Sequence, residues 1–258
     1  MVNAVAKRQV PVTDNEGRMP FMVHLKELRD RLMWSSVAVI FTTVIALFLG
    51  NRIMVLLKHP APPEIKLVAI DLLENMSVWF KVSLWSGVIM AMPFLVYQLF
   101  AYVAPGLTSK EKRLVLTVLP GITFMFVAGV AFAYFVALPP AINFLFNFNA
   151  DVAEPMVRIQ NYIDIVTRML LVIGLVFETP IIIMGLARLG VVSPQWLAAR
   201  RRMWVVVAFV VAAIITPTFD PINQTIIAVP LILLLEVGII LAKFVYKKKR
   251  QVPEGNAG

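Results

Sequence analysis

Cysteine is absent from the 258 residues, and histidine occurs only twice, at His24 and His59. The first absence excludes disulfides, thiolate metal sites and thiol catalysis. Two histidines so far apart build no His-rich cluster, so no metal is expected. Charge is scarce as well: 15% of the residues are charged, where a soluble surface uses about a quarter. There is no Gly-rich phosphate loop, no His-Glu zinc motif and no nucleophile beside an obvious base. The chain is therefore read as no enzyme, and no cofactor is expected.

What it has in abundance is apolar sequence. Sixty per cent hydrophobic residues and a mean hydropathy of +0.83 imply an all-α, multi-span membrane protein, each span needing about 20 residues. One integral membrane domain is expected over residues 1–258, with polar tails at 1–20 and 246–258 and the spans between 21 and 245. The net charge of +9 could suggest nucleic acid. Retention of Lys and Arg on the cytoplasmic side of a membrane explains it more economically, and no nucleic-acid partner is expected.

Residues 1–20 carry both charge signs and no apolar core, unlike a secretory signal peptide. Phe21, Leu25, Leu28 and Leu32 then recur at helical spacing among charged residues, which predicts an interfacial helix. It leads into a first span from Trp34 to about Leu49. A polar loop is expected from Gly50 to Glu74, stiffened by His59-Pro-Ala-Pro-Pro63. The second span covers about Val78 to Val103, kinked at Pro93. The third runs from about Leu114 to Ala137 and is expected to end at Pro139-Pro140. The fourth reaches from Ile163 to Leu189, with Asp164 and Arg168 as an i, i+4 pair. The fifth, Met203 to Ile215, has about 20 Å of helix against a hydrocarbon core of about 30 Å. The sixth, Thr225 to about Ala242, is also expected to be short.

Six lysines and arginines precede the first span, three follow Ser109, four surround the fourth loop and five lie at the C-terminal end, together 18 of the 24. Six spans with both termini cytoplasmic satisfy the positive-inside rule.

Between the second and third spans, Pro105-Gly106 marks a turn, and Ser109 opens the next helix beside Lys110, Lys112 and Arg113. Glu111 stands among these cations. Glu27 is a second acid in basic surroundings. Either each is neutralised by its neighbours, Glu27 by Arg31 at i, i+4, or the pair receives the guanidinium groups of an incoming peptide. Glu178, within Phe177-Glu-Thr-Pro180, lies inside the fourth span, where a carboxylate is expensive unless protonated, paired or wetted. It is read as a protonated acid with Gln98 as a possible partner, or as a polar floor that admits a substrate. Glu236 is a further acid within the sixth span.

Five stretches resemble one family: His24-Leu-Lys-Glu-Leu-Arg-Asp-Arg-Leu32, Tyr97-Gln-Leu-Phe-Ala-Tyr-Val-Ala-Pro-Gly-Leu107, Phe132-Ala-Tyr-Phe135, Phe177-Glu-Thr-Pro180, and Gln224 to Pro230. In order and spacing, from about residue 20 to 245, they are similar to TatC, the six-span receptor subunit of the twin-arginine protein translocase. The resemblance implies a receptor for twin-arginine signal peptides of folded proteins. With single-span TatA and TatB partners it would move them across the bacterial cytoplasmic (inner) membrane on the proton-motive force. It also implies a homo-oligomer within a hetero-oligomeric complex, in contact with membrane lipids. The family's signal-peptide residues fall on Glu27, Glu111 and Tyr102, its intramembrane acid on Glu178, and its partner-helix docking cluster on Tyr134, Thr216 and Gln224. A concave, bowl-like arrangement of the helices is expected. The alternatives are a proton-coupled small-molecule transporter using Glu178 and Glu236, and an assembly scaffold that only clusters single-span proteins.

Overall fold

In lipid every backbone N–H and C=O must be satisfied within the chain, and apolar runs do this as helices. The computed structural model describes residues 21–62, 66–103, 109–148, 156–188, 190–217 and 220–246. Among them nine α-helices and one π-helical turn account for nearly all the chain, and the only β-type pairing is an isolated bridge. The expected tails, apart from Tyr246, and the Pro105-Gly106 turn lie outside the described residues.

The first helix, α1, is one piece from Phe21 to Lys58, 38 residues or about 57 Å long. The interfacial segment and first span are thus continuous, and the helix does not stop at Gly50 as expected. Gly50 lies against Trp79, where a Cβ would strike the indole, so the glycine serves close packing and not chain termination. The helix ends where Pro60 disfavours a helical residue before it. Its final carbonyls are met from afar: Tyr134 Oη donates to Leu56 O and Tyr162 Oη to Leu57 O, each at 2.8 Å. These are bonds a helix end cannot make for itself.

Helix α2 spans Glu74–Val103 with Pro93 inside it. Helix α3, Ser109–Phe132, begins at the expected serine but does not end at Pro139-Pro140. It passes through a π-helical turn, Ala133–Ala137, into α4, Leu138–Asn147. The Leu138 N–H donates to the Ala133 carbonyl, five residues back. Widening the turn there places the two prolines in the first turn of the next helical segment, where their missing N–H groups are tolerated.

The fourth span is two helices, α5 (Ile159–Phe177) and α6 (Thr179–Arg188), broken at Glu178. After a short α7, Pro194–Ala199, comes α8, Arg201–Ile215, 15 residues or about 22 Å. That is under-length, as expected. The expected sixth span is not short: α9 runs from Pro221 to Val245, 25 residues or about 37 Å. Asp220 caps it by accepting the Asn223 N–H at 3.0 Å, and Pro221 fills the first position, so it starts four residues before Thr225. Among the described residues five helical stretches are long and apolar enough to cross a membrane. Helix α8, expected as a span, is not among them.

Helix α1 packs chiefly on α2, α2 on α3 and α5, α3 on α5, and α6 and α8 on α9. Glycines set two of these crossings. Gly87 of α2 meets the backbone of Thr43 in α1, and Gly129 of α3 meets Gly174 and Phe177 of α5. Small residues let helix backbones approach where lipid gives no hydrophobic drive.

Candidate functional site

One end of the bundle joins the start of α1 to the end of α2. Glu27 and Arg31 are one turn apart and form an ion pair at 2.6 Å, both side chains about a quarter exposed. The Arg31 fork places Nε and Nη2 on Glu27 Oε1, and its Nη1 donates to Gln98 Oε1 of α2 at 3.1 Å. Arg29 bonds to its neighbour Asp30 instead. The i, i+4 spacing made the Glu27 pair legible in the sequence. The reach to Gln98, 67 positions away, was not. Tyr102 lies half-buried in the last turn of α2. Glu111 stands in the first turn of α3, its side chain outside the described set.

Gln98 is therefore not the partner of Glu178, contrary to expectation. Pro180 has no N–H for the Val176 carbonyl, and the Thr179 hydroxyl takes its place by donating to that oxygen. The chain breaks at this point and turns the Glu178 side chain inward. The residue is fully buried, and neither carboxyl oxygen has a hydrogen-bond partner among the described residues. Phe177 on one side stacks with Phe132, and Pro180 on the other lies against Gly238 of α9. The acid is thus enclosed at the break between α5 and α6, its flanking residues packed on α3 and α9.

Glu236, the other acid expected within a span, is held by both forks of Arg201, at 2.6 and 2.8 Å. That engagement leaves it poorly suited to serve as a free proton-coupled ligand. Asp164 pairs with Lys81 of α2 at 2.8 Å and not with Arg168 as expected. A helical repeat within one segment could not reveal a partner on another.

Tyr134 lies on the π-helical turn against the core that includes Ile215 and Ile227. Thr216, buried, ends α8 and returns its hydroxyl to Ala212 O at 2.9 Å, while Gln224 lies in the first turn of α9. The π turn packs on α9, so the three polar residues belong to neighbouring elements.

At the opposite end of the bundle a tie that the sequence did not reveal joins two loops. Across the bridge between Val68 and Arg158, the Val68 N–H donates to Val157 O at 3.0 Å and the Ile159 N–H donates to Val68 O at 2.9 Å. The buried Glu74 carboxylate accepts from Arg158 Nε and from the amides of Ile70, Asp71 and Gln160. The hydrogen bond to this carboxylate, with its charge, holds the Arg158 guanidinium above its ordinary value.

Residues 23–230 match the family model described as Sec-independent protein translocase protein (TatC). The Sec-independent protein translocase protein TatC of Aquifex aeolicus (strain VF5) is 36% identical over 239 residues, 91% of this chain and 99% of that protein. The protein of the same name from Carboxydothermus hydrogenoformans is 35% identical over 90% of this chain and 96% of its own length. A crystal structure of a twin-arginine translocase receptor, TatC, superposes with a TM-score of 0.73 at 36% identity, covering 86% of this chain and 99% of that one. The family model covers residues 23–230 and the relatives 86–91% of the chain, which belongs to the TatC family of Sec-independent protein translocase proteins.

Proposed function

We propose that this protein is the receptor subunit of a twin-arginine translocase in a bacterial inner membrane, and that Glu27, Glu111 and Tyr102 form the surface that receives the signal peptide. The observation that carries this reading is chemical. Glu27 already holds a guanidinium fork, in the planar geometry that favours arginine over lysine. The family and its solved relatives, which include a twin-arginine translocase receptor, support the same role.

In this reading the chain crosses the membrane six times with both termini in the cytoplasm, and the helices form a concave face toward the bilayer. The short α8 thins the lipid around Thr216, because mismatch is relieved by deforming the bilayer when a helix cannot lengthen. Tyr134, Thr216 and Gln224 receive the helix of a single-span TatA or TatB type partner. Several copies of the chain sit in one complex, and the proton-motive force drives transport. Glu178 is the polar point inside the bundle that opens when cargo engages.

The test is the affinity of a twin-arginine signal peptide for the purified full-length chain carrying Glu27→Ala, Glu111→Ala or both, at fixed salt. Each single change weakens binding by about 1.5 kcal/mol, roughly tenfold, the low end for hydrogen bonds to a charged group at a partly exposed site. Unchanged affinity in a folded double variant would move the receptor surface elsewhere.

A further inference from the structure

The acid on which the proposed receptor function rests is occupied by the chain itself. Arg31 Nη2 and Nε reach Glu27 Oε1 at 2.6 and 3.1 Å, and Nη1 is held at 3.1 Å by Gln98. A pair that only supported a helix would leave the rest of the guanidinium in solvent. Here three of its nitrogens are engaged, across two helices. Both bonds to the carboxylate end on a single oxygen, and among the described residues no hydrogen bond engages Oε2. Arg29 and Asp30 are paired with each other and do not share the site.

We propose that Arg31 is a specificity-determining residue: an internal guanidinium that an incoming arginine must displace from Glu27. The exchange discriminates by geometry. An arginine replaces one fork with another and recovers both bonds, while displaced Arg31 keeps its bond to Gln98. A lysine ammonium is a compact point charge without a fork, so it gives up the two-bond arrangement it displaces. A bare carboxylate would accept either cation. The occupied one sets a threshold that ammonium fails to meet. This inference rests on Glu27 being part of the receptor surface.

The experiment measures binding of a fluorescently labelled twin-arginine peptide and its twin-lysine counterpart to the purified full-length chain in detergent, at fixed ionic strength. Arg31→Gln binds the twin-arginine peptide about two- to fivefold tighter, the factor that corresponds to a partly exposed ion pair. The twin-lysine peptide gains more, so the ratio between the two falls. Arg31→Lys, which keeps the charge and the fold but not the fork, shows a smaller gain in the same direction. Lys26→Gln removes a neighbouring charge without touching the fork and leaves the ratio in place. In a Glu27→Gln background Arg31→Gln brings no further gain. Weaker or unchanged twin-arginine binding in both Arg31 variants overturns the proposal, as does a gain that persists without the Glu27 carboxylate. Failure of the underlying reading looks different: Glu27→Gln alone then leaves twin-arginine binding at the level of the unaltered chain.

Discussion

Gly87→Ala tests the account of how α1 and α2 are held together. A Cβ on Gly87 would lie 2.5 Å from Thr43 Cα and 2.7 Å from Thr43 N, and closer still to the threonine hydroxyl. Carbon atoms in contact need about 3.5 to 4.0 Å, so α1 must retreat by about 1 Å. Backbone atoms cannot rotate away as a side-chain end would. The retreat also stretches the 2.7 Å bond from Thr42 Oγ1 to Gly87 O. Overpacking of this kind costs about 1 to 3 kcal/mol and the strained hydrogen bond about 1 more. Replacing glycine by alanine within a helix returns only about 0.5 to 1, so the net effect is destabilising by about 1 to 3 kcal/mol. Gly121→Ala is the control, because its Cβ would meet only Ile181 Cδ1 at 3.7 Å, an ordinary contact, and the helical gain remains. Thermal unfolding of the purified variants in one detergent reads both. Gly87→Ala melts lower and Gly121→Ala the same or higher. Equal melting temperatures for Gly87→Ala and the parent would refute the close crossing.

Tyr162→Phe leaves the Leu57 carbonyl without its donor and destabilises by about 1 to 3 kcal/mol, whereas Tyr134→Phe does less, because Leu56 O also accepts from the His59 amide; thermal unfolding of the two variants gives the order. Glu74→Gln removes the charge that gathers Arg158 and three amides, and hydrogen exchange at Val68 and Ile159 should accelerate; unchanged exchange would show that the bridge stands without it. Arg201→Glu and Glu236→Arg each lower the melting temperature, and the double exchange restores most of the loss, since the pair and not either charge alone is what the fold uses. No recovery in the double variant would argue that the two sites act independently.

The all-helical, multi-span character of the chain was determined by composition and apolar run length alone, because a continuous apolar run satisfies its backbone in lipid as a helix, whereas barrel strands alternate polar and apolar. Local chemistry was equally legible: the Ser109 helix start, the Glu27 and Arg31 spacing and the short α8 follow from residues a few positions apart, whereas the fourth span, expected as one piece, breaks at Glu178. Where the sequence misled, a distant element had supplied what the segment lacked. Pro139-Pro140 signals an end, yet the helix continues because a π-helical turn on the preceding residues accommodates both prolines. Gly50 signals an end, but Trp79 packs on it and two remote tyrosines satisfy the helix terminus further on. Helix α9, the expected sixth span, is long because Asp220 caps it four residues before Thr225. Asp164 pairs with Lys81 rather than Arg168, and Gln98 serves Arg31 rather than Glu178. Helical periodicity reports neighbours one turn away, while a through-space hydrogen bond depends on which helices cross and at what depth. That is decided by close glycine crossings such as Gly87 on Thr43, and so by tertiary structure alone.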